Sequence, residues 1–164
     1  MKNACEITRT SKKTAVTENN DRKVVNYMKK ENINEDFVET KLIEWLEKNG
    51  WKISNKSKKK NEGGIDIRGY RHGRTIWIEA KGDRKRYHQA VHDSFTSAIG
   101  QILYRMKEDQ KYRYYGIAIP ASWENVWKRK IKEMEYAWKQ LRLRIYLVHK
   151  NGKIEMKNYR KMLK

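Results

Sequence analysis

The chain has 164 residues and a formal net charge of +19, from 39 Lys and Arg against 20 Asp and Glu. That length suits one domain with a real core, and that charge favours a polyanionic partner. One cysteine, Cys5, excludes a disulfide framework or a cysteine zinc site within the chain, and no apolar run approaches the ~18 residues of a membrane span.

Residues 1–32 are polar and charged without sustained periodicity, and are expected to form an N-terminal extension. Their first residues carry no apolar core of a secretory leader, so an intracellular, cytoplasmic setting without membrane contact is expected. Residues 33–164 are expected to be the single folded domain. Asn34 is a candidate N-cap, with Glu35 and Asp36 favourable to the dipole in the first turn. A helix then runs to about Asn49 and stops at Gly50. Its apolar residues are Phe37, Val38, Leu42, Trp45 and Leu46, and Glu39 shares a stripe with Leu42, Ile43 and Leu46. A carboxylate on an inward stripe is costly unless paired or metal-bound.

Trp51 to Ser54 begins a strand, and Lys56, Lys58, Lys59 and Lys60 make the next loop basic. Gly64 to Arg68 and Thr75 to Lys81 read as a strand pair. Strand side chains alternate, so Glu79 and Lys81 share one face while Ile76, Ile78 and Ala80 enter an apolar layer. Asp66, between Ile65 and Ile67, is expected on the neighbouring strand. Arg84, Lys85 and Arg86 form a second basic loop. Both loops suit phosphate contacts, although a solvated charge run explains them equally well.

A helix from Ser94 to about Lys107 carries Phe95, Ala98, Ile99, Ile102 and Met106 on one stripe, with Gln101 beside it in line with Tyr104 and Arg105. Then come a strand over 112–119, a helix from Ser122 to about Lys139, a strand over 141–148 and a short last segment after Gly152. Trp123, Trp127 and Trp138 share that third helix and are expected to pack on the sheet. His88 and His92, four apart, make a poor metal site on their own. Helices interleaved with strands imply an α/β fold: a central mixed sheet flanked by helices, with a parallel crossover near the end.

Two acids and an amine converging at one strand end suit a divalent cation and an activated water. Magnesium takes carboxylate oxygens, waters and substrate phosphate oxygens, and Asp66 and Glu79 are the candidate metal ligands. Lys81 is placed to orient or help deprotonate the water and to stabilise developing charge.

A helical Glu39, Asp66 on a strand, Glu79-Ala80-Lys81 on the next and Gln101 on a following helix resemble the PD-(D/E)XK nuclease superfamily. Ile65 stands where the family's name has proline, and Tyr104 falls one position short of the Gln-x-x-x-Tyr of RecB-type members. The resemblance covers roughly residues 36–120. It implies an αβββαβ restriction-endonuclease-like core, here with an added helix and strand. It also implies a Mg²⁺-dependent endonuclease acting on DNA, with Mn²⁺ able to substitute and with Glu39, Asp66, Glu79, Lys81 and Gln101 catalytic. A nuclease for RNA or branched junctions, and a nucleic-acid-binding module without catalysis, remain alternatives; host defence, recombination and repair are all compatible roles. One active site per chain means that cutting both strands takes a homodimer or two successive nicks, and a homodimer is the expectation.

Overall fold

In this computed structural model the described residues are 33–54, 64–83, 88–106 and 112–162. The expected extension over 1–32 and both basic loops, Lys56, Lys58, Lys59 and Lys60 with Arg84, Lys85 and Arg86, lie outside them.

Helix α1 spans Glu35–Lys48, and the Asn34 side chain accepts the Phe37 N–H at 2.8 Å, so the expected N-cap is in place. Strands β1 (Lys52–Ile53), β2 (Ile67–Arg71) and β3 (Arg74–Ala80) follow. His72 and Gly73, both at positive φ, make the two-residue turn between β2 and β3, a geometry that matches the twist of paired strands. Helix α2 spans His88–Arg105 and β4 Arg113–Pro120. A 3₁₀ turn at Ala121–Trp123 leads into α3 (Glu124–Glu133) and α4 (Glu135–Leu141). Strands β5 (Arg144–Val148) and β6 (Ile154–Asn158) and a final turn, α5 (Tyr159–Met162), complete the order.

Among the described residues the six strands form one sheet in sequence order. The β3–β4 and β4–β5 pairs are parallel and the others antiparallel, so the mixed sheet and the late parallel crossover are both present. The αβββαβ order holds, with α3, α4, β5 and β6 added to it.

Alternation along the strands builds two apolar layers. On one face Val38, Leu42 and Leu46 of α1 meet Ile67, Ile76, Ile78, Ala80 and Ala118. On the other, Phe95, Ala98, Ile99 and Ile102 of α2 join Trp123, Trp127 and Trp138 over Ile117, Ile119, Ile145 and Leu147. The three tryptophans are core residues, each contributing roughly 1.5–3 kcal/mol or more by burial of its ring.

Several boundaries differ from the sequence reading, among them the strand expected over 141–148, which begins at Arg144 because Leu141 still belongs to α4. Helix α2 starts six residues before Ser94, where only Val91 signals an inward face. The helix expected over 122–139 is broken at Met134 into α3 and α4, with neither glycine nor proline to mark the break. Asp66 precedes β2 instead of lying within it. The backbone bends there, so Ile65 enters the α2 layer and Ile67 the α1 layer.

Candidate metal-dependent nuclease site

Strand β3 delivers two charged side chains to the face that α2 covers. Glu79 is 2% exposed and Lys81 6%, a depth at which charges need partners. Lys81 Nζ donates to Glu79 Oε1 at 3.0 Å and stands 3.9 Å from Asp66 Oδ2. Asp66 Oδ2 in turn accepts the Ala80 N–H at 2.8 Å. A backbone donor of β3 thus fixes the carboxylate that the bend before β2 turns toward the strand end.

The pair does not fully compensate Glu79. Burial pushes its carboxyl up from 4.5 to about 7, the Asp66 charge adds to the rise, and Lys81 opposes it. Glu79 Oε2 is buried and, among the described residues, meets the Arg105 guanidinium without a close hydrogen bond. The Arg105 guanidinium stands 3.5 Å from it while donating to the Gln101 carbonyl at 2.8 Å and the Gly64 carbonyl at 2.6 Å. Arg105 therefore ties the end of α2 to the chain entering β2.

The start of α1 reaches the same strand end because Gly82 has no side chain. A Cβ at Gly82 would overlap the backbone of Asn34 and Glu35. Asp83 locks that contact. Its N–H donates to the Ile33 carbonyl at 2.6 Å, its Oδ2 accepts the Ile33 N–H at 3.0 Å, and its Oδ1 accepts Trp123 Nε1 at 2.6 Å. With α1 held there, carboxylate oxygens of Glu35, Glu39 and Asp66 lie within 4.8 Å of one another.

The residues singled out in the sequence are distributed as follows. Asp66, Glu79 and Lys81 form one charged cluster, and Glu39 joins Asp66 from α1. Gln101 lies on α2 one turn before Arg105, its amide oxygen buried without a hydrogen-bond partner among the described residues. His92 meets Arg129 at 2.8 Å. Two residues of the site had gone unassigned. Glu35 sits one helical turn before Glu39, a spacing that shares a face. Arg105 sits four positions after Gln101, the same signal.

The donor set suits a hard divalent cation. Three carboxylates converge, and a buried acid beside another acid, only partly offset by Lys81 and Arg105, is relieved by a cation. Glu35, Glu39 and Asp66 are the residues that would hold it, with Glu79 alongside.

No family model and no curated protein matches the chain. Two solved structures resemble it. One is the crystal structure of an XisH family protein from Nostoc punctiforme PCC 73102, at a TM-score of 0.51 and 23% identity over 74% of this chain and 97% of that one. The other is a FdxN element excision controlling factor protein from Anabaena variabilis, at a TM-score of 0.47 and 22% identity over 70% of this chain and 91% of that one. At such identity the first likeness speaks for the shared α/β fold. Among the described residues no helix is long and apolar enough to cross a membrane.

Proposed function

We propose that this protein is a metal-dependent endonuclease that hydrolyses phosphodiester bonds of DNA, using Mg²⁺ or, in its place, Mn²⁺. The observation that carries the reading is the convergence of Asp66, Glu79 and Lys81 at one strand end, beside Glu35 and Glu39 of α1. A purely structural ion network has no need of four acids at one point of a chain with net charge +19. A divalent cation bound there supplies neutralisation of the phosphate and acidification of a nearby water.

The chain's own groups do the rest. Asp66, fixed by the Ala80 N–H, keeps one oxygen oriented toward the strand end. Lys81, held by Glu79, offers an ammonium group to the water and to the charge that develops on the phosphate. Because Lys81 leaves the extended end of β3 under a continued ladder bond from its N–H to the Ala118 carbonyl, it is positioned before substrate arrives. Glu35 and Glu39 bring negative charge from α1, which opposes a phosphate at this point until a cation offsets it.

A second reading, a nucleic-acid-binding module without catalysis, draws on the ion pairs that Lys81 and Arg105 make with Glu79, which already offset part of its charge. A substrate panel separates the two. Supercoiled, linear, single-stranded and branched DNA, and RNA, are each incubated with Mg²⁺, Mn²⁺ or EDTA. Cutting of DNA only when metal is present is the expected result. Salt-sensitive binding without cutting of any substrate would replace it with the second reading, and cutting confined to RNA would move the substrate class.

A further inference from the structure

Three arginines open parallel strands of the sheet and take no part in the site above. Arg74 opens β3, Arg113 opens β4 and Arg144 opens β5. These strands are parallel and staggered: Arg113 lies opposite Thr75, whereas Arg144 lies opposite Gly116, itself opposite Ile78, and its guanidinium reaches back over Tyr114 toward Arg74 at the start of β3. The Arg113 guanidinium lies 4.0 Å from the centre of the Trp77 ring, and that of Arg68 lies 4.7 Å from the same ring. Arg144 lies 3.6 Å from the centre of the Tyr114 ring. Arg74 lies 5.7 Å from it and donates to the Tyr114 hydroxyl.

The charge here is arranged unlike that on the helices. Lys128, Lys130 and Lys139 each meet a glutamate within one helical turn, Glu124, Glu133 and Glu135 respectively. Among the described residues no carboxylate forms an ion pair with Arg74, Arg113 or Arg144. Two guanidinium groups over one tyrosine repel each other, and no described carboxylate pairs with either. Held beside a ring, with one donor of Arg74 on the Tyr114 hydroxyl and one of Arg113 on Thr75, a guanidinium keeps further N–H donors, the groups that pair with phosphate.

We propose that this arginine-lined end is a second docking surface, for the sugar-phosphate backbone of nucleic acid flanking the cut. Six steps of β3 separate Arg74 from Ala80, about 20 Å at the rise of a strand, a distance that the duplex flanking the cut can span. The inference rests on DNA being the partner of the carboxylate site, and adds to it where the flanking duplex is held.

The test is equilibrium binding of a duplex long enough to span both ends, read in EDTA so that cutting plays no part, over a series of salt concentrations. Arg74→Gln/Arg113→Gln/Arg144→Gln is compared with the charge-matched Lys132→Gln/Lys139→Gln/Lys150→Gln. If each arginine neutralises a phosphate, the arginine triple loses close to 3 from the magnitude of the log–log salt slope, about 1 per contact, and the lysine triple less than about 1. The corresponding Arg→Lys triple, which keeps the charge, retains most of the slope. Equal behaviour of the two Gln triples, both folded by circular dichroism, would overturn the proposal. So would an Arg→Lys triple as weak as the Gln triple, which assigns the loss to packing, or a loss confined to anionic phospholipid vesicles. A wild-type protein that cuts DNA while the arginine triple binds normally sinks this surface alone; a protein that never cuts yet shows the slope change sinks the nuclease reading alone.

Discussion

The two ends of strand β3 solve opposite electrostatic problems. At its end, Glu79 and Lys81 are 2% and 6% exposed, and an acid sits next to an acid where solvent screens little. At its start, Arg74 is exposed and shares the Tyr114 ring with Arg144, where water and salt weaken the repulsion. Buried like charge raises the affinity of a point for one cation in one geometry. Exposed like charge spread over ring faces raises affinity for a polyanion along a line. The first suits chemistry and the second suits grip, and one strand carries both.

The largest expected effect breaks the acidic end. Asp66→Asn and Glu79→Gln should each lower the single-turnover rate of DNA cleavage by about 10²–10³-fold, the usual cost of a preorganised charged group at a reacting phosphate. DNA binding in EDTA should hold or tighten, because each change removes a negative charge. A fall in rate that tracks a fall in binding would place these acids in binding instead.

Acidity gives the next effect, in the metal-free protein. The Glu79 carboxyl titrates near 7 when folded against 4.5 as its ordinary value. The folded state thus holds this proton more tightly. The stabilising difference is complete below pH 4.5 and is lost as pH rises through 7, about 3 kcal/mol in total by linkage. Urea melts at about pH 5 and about pH 8 should show that slope in wild type and not in Glu79→Gln, and Mg²⁺ at the higher pH should restore stability. Parallel slopes in the two proteins would remove Glu79 as the titrating group.

Gly82→Ala forces a Cβ into the start of α1 and should cost about 1–3 kcal/mol, read as a lower urea midpoint. It should also impair cleavage, since it displaces Glu35 and Glu39 from Asp66. Trp123→Phe removes the indole donor from Asp83 and should cost about 1 kcal/mol, with cleavage retained if Asp83 only braces the corner. At the basic end Arg74→Gln alone should change the salt slope of binding by about 1 and leave the cleavage rate of bound DNA intact.

Much of this was legible in residue order. Ile76, Ile78 and Ala80 alternate with Glu79 and Lys81, and that period of two placed the acid and amine together on one face. The Asn34 cap and the α1 stripe were equally direct. Asp66 was half legible: its nearness to β3 followed from the hairpin, but the bend that puts Ile65 and Ile67 in different layers is set by the two cores competing for them. Glu35 was read as a first-turn acid because nothing local says that the turn is pressed against Gly82; that contact joins residues nearly fifty apart. The arginine–aromatic stacks were hidden for the same reason. Trp77 and Arg113, like Tyr114 and Arg144, meet only once β3, β4 and β5 are in parallel register.

Lys81 offers the most direct measurement, a time course of supercoiled plasmid nicking by wild type and by Lys81→Ala purified identically, each with Mg²⁺ and with EDTA. The expected result is nicking by wild type that requires Mg²⁺ and disappears in Lys81→Ala. Nicking that persists in Lys81→Ala, or that survives EDTA, would contradict a metal-dependent phosphodiesterase centre at the end of β3.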